Sequence, residues 1–135
     1  EGERDMAGVI GNQGFEMKLS TYVPSIIKNG IAKLTTKLLN KISKELSDVR
    51  YFAIHPGGRK ILESIEIELG IDKQDNKSAY HILKNYGNMS SPTILFVLDE
   101  IMSRLIPRDQ GERILSFAFG PGLTLESMIL KIEIE

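Results

Sequence analysis

The chain has 135 residues, 41% hydrophobic and 26% charged, which fits one globular domain large enough to bury a core. Its 17 basic and 18 acidic residues leave no net field to attract nucleic acid or an anionic membrane. With no cysteine, the chain has no disulfide framework, no thiolate metal site and no cysteine nucleophile.

No apolar run reaches the roughly 18 residues that mark a bilayer span. Glu1-Gly2-Glu3-Arg4-Asp5 is charged and unlike a signal peptide, so the expected compartment is the cytoplasm. The chain starts without methionine and reaches apolar sequence within a few residues, which suggests a piece of a longer protein.

Met6 to Ile10 is a short apolar run, and Phe15 to Ser20 alternates apolar and polar residues. Between them, Gly11-Asn12-Gln13-Gly14 is a turn-forming cluster, and together they predict a β-hairpin. Val23-Pro24 then opens a helix, proline being well placed in a first turn. Ile27, Ile31, Leu34, Leu38, Ile42 and Leu46 predict one apolar stripe over roughly six turns. Lys33, Lys37, Lys41 and Lys44 line another face, read as solvated rather than phosphate-binding. Asp48 to Arg50 is expected to close the helix, and Tyr51 to Ile54 to form a buried strand.

After Pro56-Gly57-Gly58, the residues Ile61, Leu62, Ile65 and Leu69 mark a helix stopped by Gly70. A polar linker leads to a short helix carrying Ile82 and Leu83, with Ser78 as its expected cap. Ser91-Pro92 opens a longer helix, serine capping and proline in first position, apolar over a wide arc through Leu105. Glu100 and Arg104 on it are spaced to pair across one turn. Ile106 to Gly111 reads as a loop. Arg113–Phe119 and Leu123–Ile134 read as strands joined by Gly120-Pro121-Gly122. In the last strand the apolar phase slips near Ser127, which predicts a bulge or burial on both faces. The order β-β-α-β-α-α-β-β describes one α/β layered domain over residues 1–135, with a mixed sheet packed by helices.

The candidate chemistry lies at two breaks. His55 ends the Tyr51–Ile54 strand, and Asn88 sits in Asn85-Tyr86-Gly87-Asn88-Met89-Ser90-Ser91-Pro92. Each precedes a helix N-terminus, where unpaired N–H groups favour negative charge. A neutral imidazole N–H and a carboxamide NH₂ are suited to stabilising an enolate or oxyanion. Gly57, Gly58 and Gly87 allow close backbone approach to a ligand. Each residue also has a bland reading: His55 as a hydrogen-bonded structural residue, Asn88 as a turn former. His81 is read as structural. Two histidines without an i, i+4 pair argue against zinc, and no Gly-x-Ser-x-Gly elbow supports a serine triad. Gly57-Gly58-Arg59-Lys60 is not a phosphate-binding loop.

Three stretches occur in a telling order: His55-Pro56-Gly57-Gly58, Tyr86-Gly87-Asn88-Met89-Ser90-Ser91 and Phe119-Gly120-Pro121-Gly122-Leu123-Thr124. Together they resemble the C-terminal half of chalcone synthase-like type III polyketide synthases, and the thirty-three positions from His55 to Asn88 match that family too. Ketoacyl synthase III condensing enzymes also pair histidine with asparagine, but favour His-Gln-Ala-Asn and Gly-Asn-Thr-Ser. A non-catalytic thiolase-fold binding module is the third reading.

The resemblance implies the C-terminal half of a thiolase-like fold. It also implies condensation of an acyl-CoA starter with malonyl-CoA by decarboxylative Claisen chemistry. His55 and Asn88 would hold the thioester carbonyl and stabilise the enolate. Gly57, Gly58, Lys60 and Ser90 would lie at the substrate and CoA, with Phe119, Gly120, Pro121 and Gly122 shaping the pocket. Arg59 stands where plant members commonly have proline, and Ala118 where they have glycine. CoA thioesters enter as substrates, and neither a cofactor nor a metal is implied. The nucleophilic cysteine belongs to the N-terminal half, so the chain alone is expected to be inactive. The wide apolar arc from Pro92 to Leu105 is expected to drive self-association into a homo-oligomer, a homodimer at its simplest.

Overall fold

The computed structural model describes residues 8–11, 14–17, 22–120 and 124–135. The predicted hairpin is present as strands β1 (Gly8–Gly11) and β2 (Gly14–Met17), paired antiparallel in a sheet of their own.

Helix α1 covers Tyr22–Asn40 and is shorter than the hydrophobic pattern predicts. It is closed by a Schellman motif: Lys44 N–H donates to Leu39 O at 3.0 Å and Ser43 N–H to Asn40 O at 3.1 Å, with Ser43 at φ 55°. Its buried row is Ile27, Ile31, Thr35 and Leu39, rotated from the expected Leu34–Leu38–Ile42 line. Thr35 can be buried because its hydroxyl donates to Ile31 O at 2.8 Å. Ile42 lies beyond the helix and is exposed, whereas Lys33, Lys37 and Lys41 form a solvated face as read.

Strand β3 is Val49–Ile54, so Val49 and Arg50 belong to the sheet and do not close the helix. Helix α2 (Arg59–Leu69) buries Ile61, Leu62, Ile65 and Leu69 as predicted. Gly70 stops it at φ 69°, with Ile71 N–H reaching back to Glu66 O at 3.1 Å. Helix α3 (Lys77–Tyr86) begins after Asn76, not Ser78, which is buried inside its first turn. Asn76 makes no side-chain cap; it donates instead to Glu66 Oε2 at 3.0 Å, which also accepts the Tyr80 hydroxyl at 2.8 Å. Helix α4 is Thr93–Met102, preceded by Pro92 without a side-chain cap. It ends before Leu105, and Glu100 pairs with Arg104 as expected. Three helices therefore separate β3 from the next strand, because the short Ile82 segment is a full ten-residue helix.

Strands β4 (Arg113–Gly120) and β5 (Thr124–Lys131) complete a three-stranded mixed sheet. β4 is central, parallel to β3 and antiparallel to β5. The β4–β5 register is unbroken from Arg113↔Lys131 to Gly120↔Thr124, so Ser127 carries no bulge. The irregularity lies instead in β3, where the pairing steps from Val49↔Arg113 to Tyr51↔Ile114 and leaves Arg50 as the extra residue.

The phase slip in β5 reflects burial on both faces. Phe52, Ile54, Leu115 and Phe117 face a core shared with Ile27 and Ile31 of α1 and Ile61, Leu62 and Ile65 of α2, against which Leu125 and Ile129 pack. Ala53, Ile114 and Ile132 face a second core with Ile82 of α3 and Val97 and Ile101 of α4, joined by Leu130. The sheet is thus sandwiched between two helix pairs, the arrangement expected of a parallel crossover strand covered on both sides.

Candidate functional site

β3 and β4 run parallel, so their carboxyl ends open on the same edge of the sheet, the edge where α/β folds hold ligands. His55 continues β3 past its last residue, its N–H donating to Phe117 O at 2.8 Å. By the two-residue alternation it falls on the face of Tyr51 and Ala53, toward α3 and α4. The side chain is buried, at 5% exposure, and burial lowers its pKa below the usual histidine value. The ring is therefore neutral near pH 7, able to donate one N–H without carrying charge. Behind it, Gly57 N–H donates to His55 O at 2.9 Å, turning the chain toward α2.

Asn88 comes to this turn from the opposite layer. Gly87, with φ 71° and ψ −166°, adopts a conformation essentially reserved for glycine and swings the chain out of α3. The Asn88 carboxamide oxygen then accepts the Ser90 N–H at 2.9 Å, closing an Asx turn, and Ser90 itself sits at φ 66°. With its oxygen so engaged, the carboxamide nitrogen faces the other way and donates to Gly57 O at 3.3 Å. The half-buried Asn88 and the His55–Gly58 turn thus meet directly.

The remaining sequence candidates divide. Gly57 and Gly58 are half-buried in the turn itself; a Cβ on Gly58 would meet nothing within 4 Å. Lys60 is exposed on the first turn of α2, and Ser90 is exposed beside Asn88. Phe119 is half-buried beyond the end of β3 and packs against the first core, with Gly120 closing β4 opposite Thr124. Pro121 and Gly122 lie outside the described residues. His81 lies away from the turn, its Nε2 3.9 Å from Glu100 Oε2. Among the described residues no three His, Asp or Glu side chains gather as a metal site, and no helix is long and apolar enough to cross a membrane. A cavity of about 400 Å³ lies between α1 and α2, lined by residues such as Thr35, Leu39, Lys44 and Glu68, and shares none with the His55–Asn88 turn.

Two features escape sequence reasoning. Thr93 is fully buried and its hydroxyl accepts the Met89 N–H at 2.8 Å, tying down the loop that carries Asn88. Asp109 is also fully buried; it accepts the Ile106 N–H at 3.0 Å, the Tyr51 hydroxyl at 2.8 Å and Arg50 Nε at 3.3 Å. These bonds, the Ile106 N–H foremost, hold its carboxyl below the usual range and anchor β3 from its amino end. The only sequence signal for either is a short polar side chain beside a turn.

The family model of the C-terminal domain of chalcone and stilbene synthases matches residues 1–133. The chain belongs to that family. It is 33% identical over 123 residues to the alpha-pyrone synthesis polyketide synthase-like Pks18 of Mycobacterium tuberculosis, covering 91% of this chain and 31% of that protein. Among solved structures, PKS-I from the brown alga Ectocarpus siliculosus is similar, with a TM-score of 0.81 and 31% identity over 97% of this chain and 36% of its own. The C-terminal type III polyketide synthase domain of Steely1, a type I/III hybrid from Dictyostelium, gives a TM-score of 0.78 and 33% identity, over 98% and 37%. The chain spans about a third of the length of the relatives it matches. Its α/β/α sandwich is accordingly the thiolase-like fold of a chalcone and stilbene synthase C-terminal domain, and the ketoacyl synthase III assignment gives way to this one.

Proposed function

We propose that this chalcone and stilbene synthase C-terminal domain supplies the enolate-stabilising half of a type III polyketide synthase active site, with His55 and Asn88 as its donors. One observation carries the reading: the Asn88 carboxamide donates to Gly57 O, in the glycine turn that directly follows the buried His55 at the carboxyl edge of a parallel sheet. When malonyl-CoA loses CO₂, the electron pair of the breaking C–C bond moves into the thioester and its oxygen gains negative charge. Neutral donors fixed beforehand stabilise that charge without reorganising. The enolate carbon then attacks the acyl thioester of the starter, forming the new C–C bond and releasing the thiolate that carried it.

That thiolate would belong to a cysteine of an N-terminal half, since this chain has none. The chain alone is therefore inactive and acts joined to that half, in a cytoplasmic homo-oligomer. Acyl-CoA and malonyl-CoA are the substrates, and the chemistry needs no cofactor or metal. Gly57, Gly58, Lys60 and Ser90 would line the CoA side, and Phe119 to Gly122 the acyl pocket.

The test is malonyl-CoA decarboxylation by the full-length protein. His55→Ala and Asn88→Ala are each expected to lower kcat by about 10²–10³-fold, the usual effect of deleting one oxyanion donor. Wild-type rates in both would overturn the assigned roles. An N-terminal half without a cysteine would instead favour a binding module of the same fold.

A further inference from the structure

We propose that Thr93 is a positioning residue for Asn88, its buried hydroxyl setting the direction in which the carboxamide points. The inference rests on the reading of Asn88 as a donor. Forward capping, in which an N-cap side chain accepts from N–H groups of the first turn, is not available to this helix, because Pro92 holds the N-cap. Thr93 does the reverse. Its Oγ1 accepts the N–H of Met89, four residues upstream, at 2.8 Å, while its own N–H donates to Ser90 O at 3.0 Å. One residue therefore clamps both positions that follow Asn88, and it does so from full burial, where no water can replace the hydroxyl.

The clamp matters because of what it holds. The Ser90 N–H donates to Asn88 Oδ1 at 2.9 Å, and Ser90 itself is kept at φ 66°, a region that non-glycine residues rarely adopt. With the oxygen committed to that turn, the nitrogen is the atom left facing Gly57 O. If Met89 were released, the turn could relax and the amide could rotate, presenting oxygen where the reaction requires a donor. Thr93 thus acts on the chemistry through Asn88.

The experiment uses the full-length protein and reads kcat and KM for malonyl-CoA decarboxylation. Thr93→Val, which replaces the hydroxyl with a methyl of similar size, is expected to lower kcat about 10- to 100-fold with KM changed less than about twofold, as for a small misplacement of a catalytic group. Thr93→Ser, which keeps the acceptor, is expected to stay within about threefold of wild type. Adding Thr93→Val to Asn88→Ala is expected to lower kcat no further, because both act through one carboxamide. An unchanged kcat in Thr93→Val, or an equal loss in the Asn88→Ala background, would overturn the positioning role while leaving Asn88 itself in place. Full activity in Asn88→Ala would instead remove the reading beneath it. Should Thr93→Val not fold, comparing Thr93→Ala with Thr93→Ser makes the same decision, the hydroxyl variant being fast and the alanine variant slow.

Discussion

The Asn88 carboxamide nitrogen donates to the Gly57 carbonyl oxygen at 3.3 Å across thirty-one positions of sequence. The bond joins the loop before α4 to the loop before α2, on opposite sides of the sheet, and so closes the site over the end of β3. It uses one of the two N–H donors of the NH₂ group.

Asn88→Asp tests that polarity. The carboxylate keeps the Asx turn to Ser90 but cannot donate, and it sets a negative charge against Gly57 O and against any developing oxyanion. Decarboxylation by the full-length protein is expected to fall at least as far as in Asn88→Ala, by about 10²–10³-fold or more. Faster turnover in Asn88→Asp than in Asn88→Ala would show that shape, not donation, is what the position supplies.

Burial of His55 makes an acid-side prediction with a definite sign. The folded-state pKa lies below the ordinary histidine value of 6.5, so the unfolded chain takes up a proton first as the pH falls. This contribution to stability is complete above about pH 6.5 and is lost as the pH drops from there through the folded pKa. Denaturant midpoints of wild type should decline between about pH 7.5 and 5 more than those of His55→Gln. Parallel declines would mean that the imidazole is already hydrated in the folded protein.

Much of this arrangement is legible in the residues, and the exceptions share a cause. The ends of α2 follow from Gly58 and Gly70, and the His55 and Asn88 turns from the glycines beside them, because glycine acts locally. Where the partner a polar side chain finds decides its place, the reading fails. Thr35 joins the buried face of α1 because its hydroxyl finds Ile31 O inside the same helix. Asn76 abandons the cap it could have made for Glu66, ten positions earlier. The β5 phase looks like a bulge because one strand feeds two cores, and a single sequence does not show which layer lies above each residue. Thr93 and Asp109 are invisible for the same reason: the loop N–H groups they accept from, and the Tyr51 and Arg50 side chains that meet Asp109, come into place only once the chain is folded.

Asp109 anchors the far end of β3, and its loss should be felt as stability rather than chemistry. Its pKa is lowered by the Ile106 N–H, with the Tyr51 hydroxyl and Arg50 adding to it, so this stabilisation is present above the unfolded pKa and is lost as the pH falls through the lower folded value. Asp109→Asn is expected to lower the thermal midpoint markedly, because one of its oxygens becomes a donor facing donors. Tyr51→Phe, which removes a single hydroxyl, is expected to cost about 1–2 kcal/mol by denaturant titration. Equal midpoints for Tyr51→Phe and wild type would mean that Asp109 is satisfied without the tyrosine.

The α4 helix bears the last prediction. Val97 and Ile101 face the sheet, yet Leu95 and Met102 are more than 60% exposed and stand seven residues apart on one side. Phe96 extends the patch to Tyr86 of α3, their ring centroids 5.4 Å apart. Contiguous apolar surface of this kind is uncommon on a monomer. In isolation the chain is expected to cover it with a second copy, since burying such side chains gives about 1.5–3 kcal/mol each. Light scattering should then report a mass that rises with concentration and returns to that of one chain in Leu95→Glu/Phe96→Glu. A monomer at high concentration would refute the self-association, and a dimer indifferent to both substitutions would place the contact elsewhere on the chain.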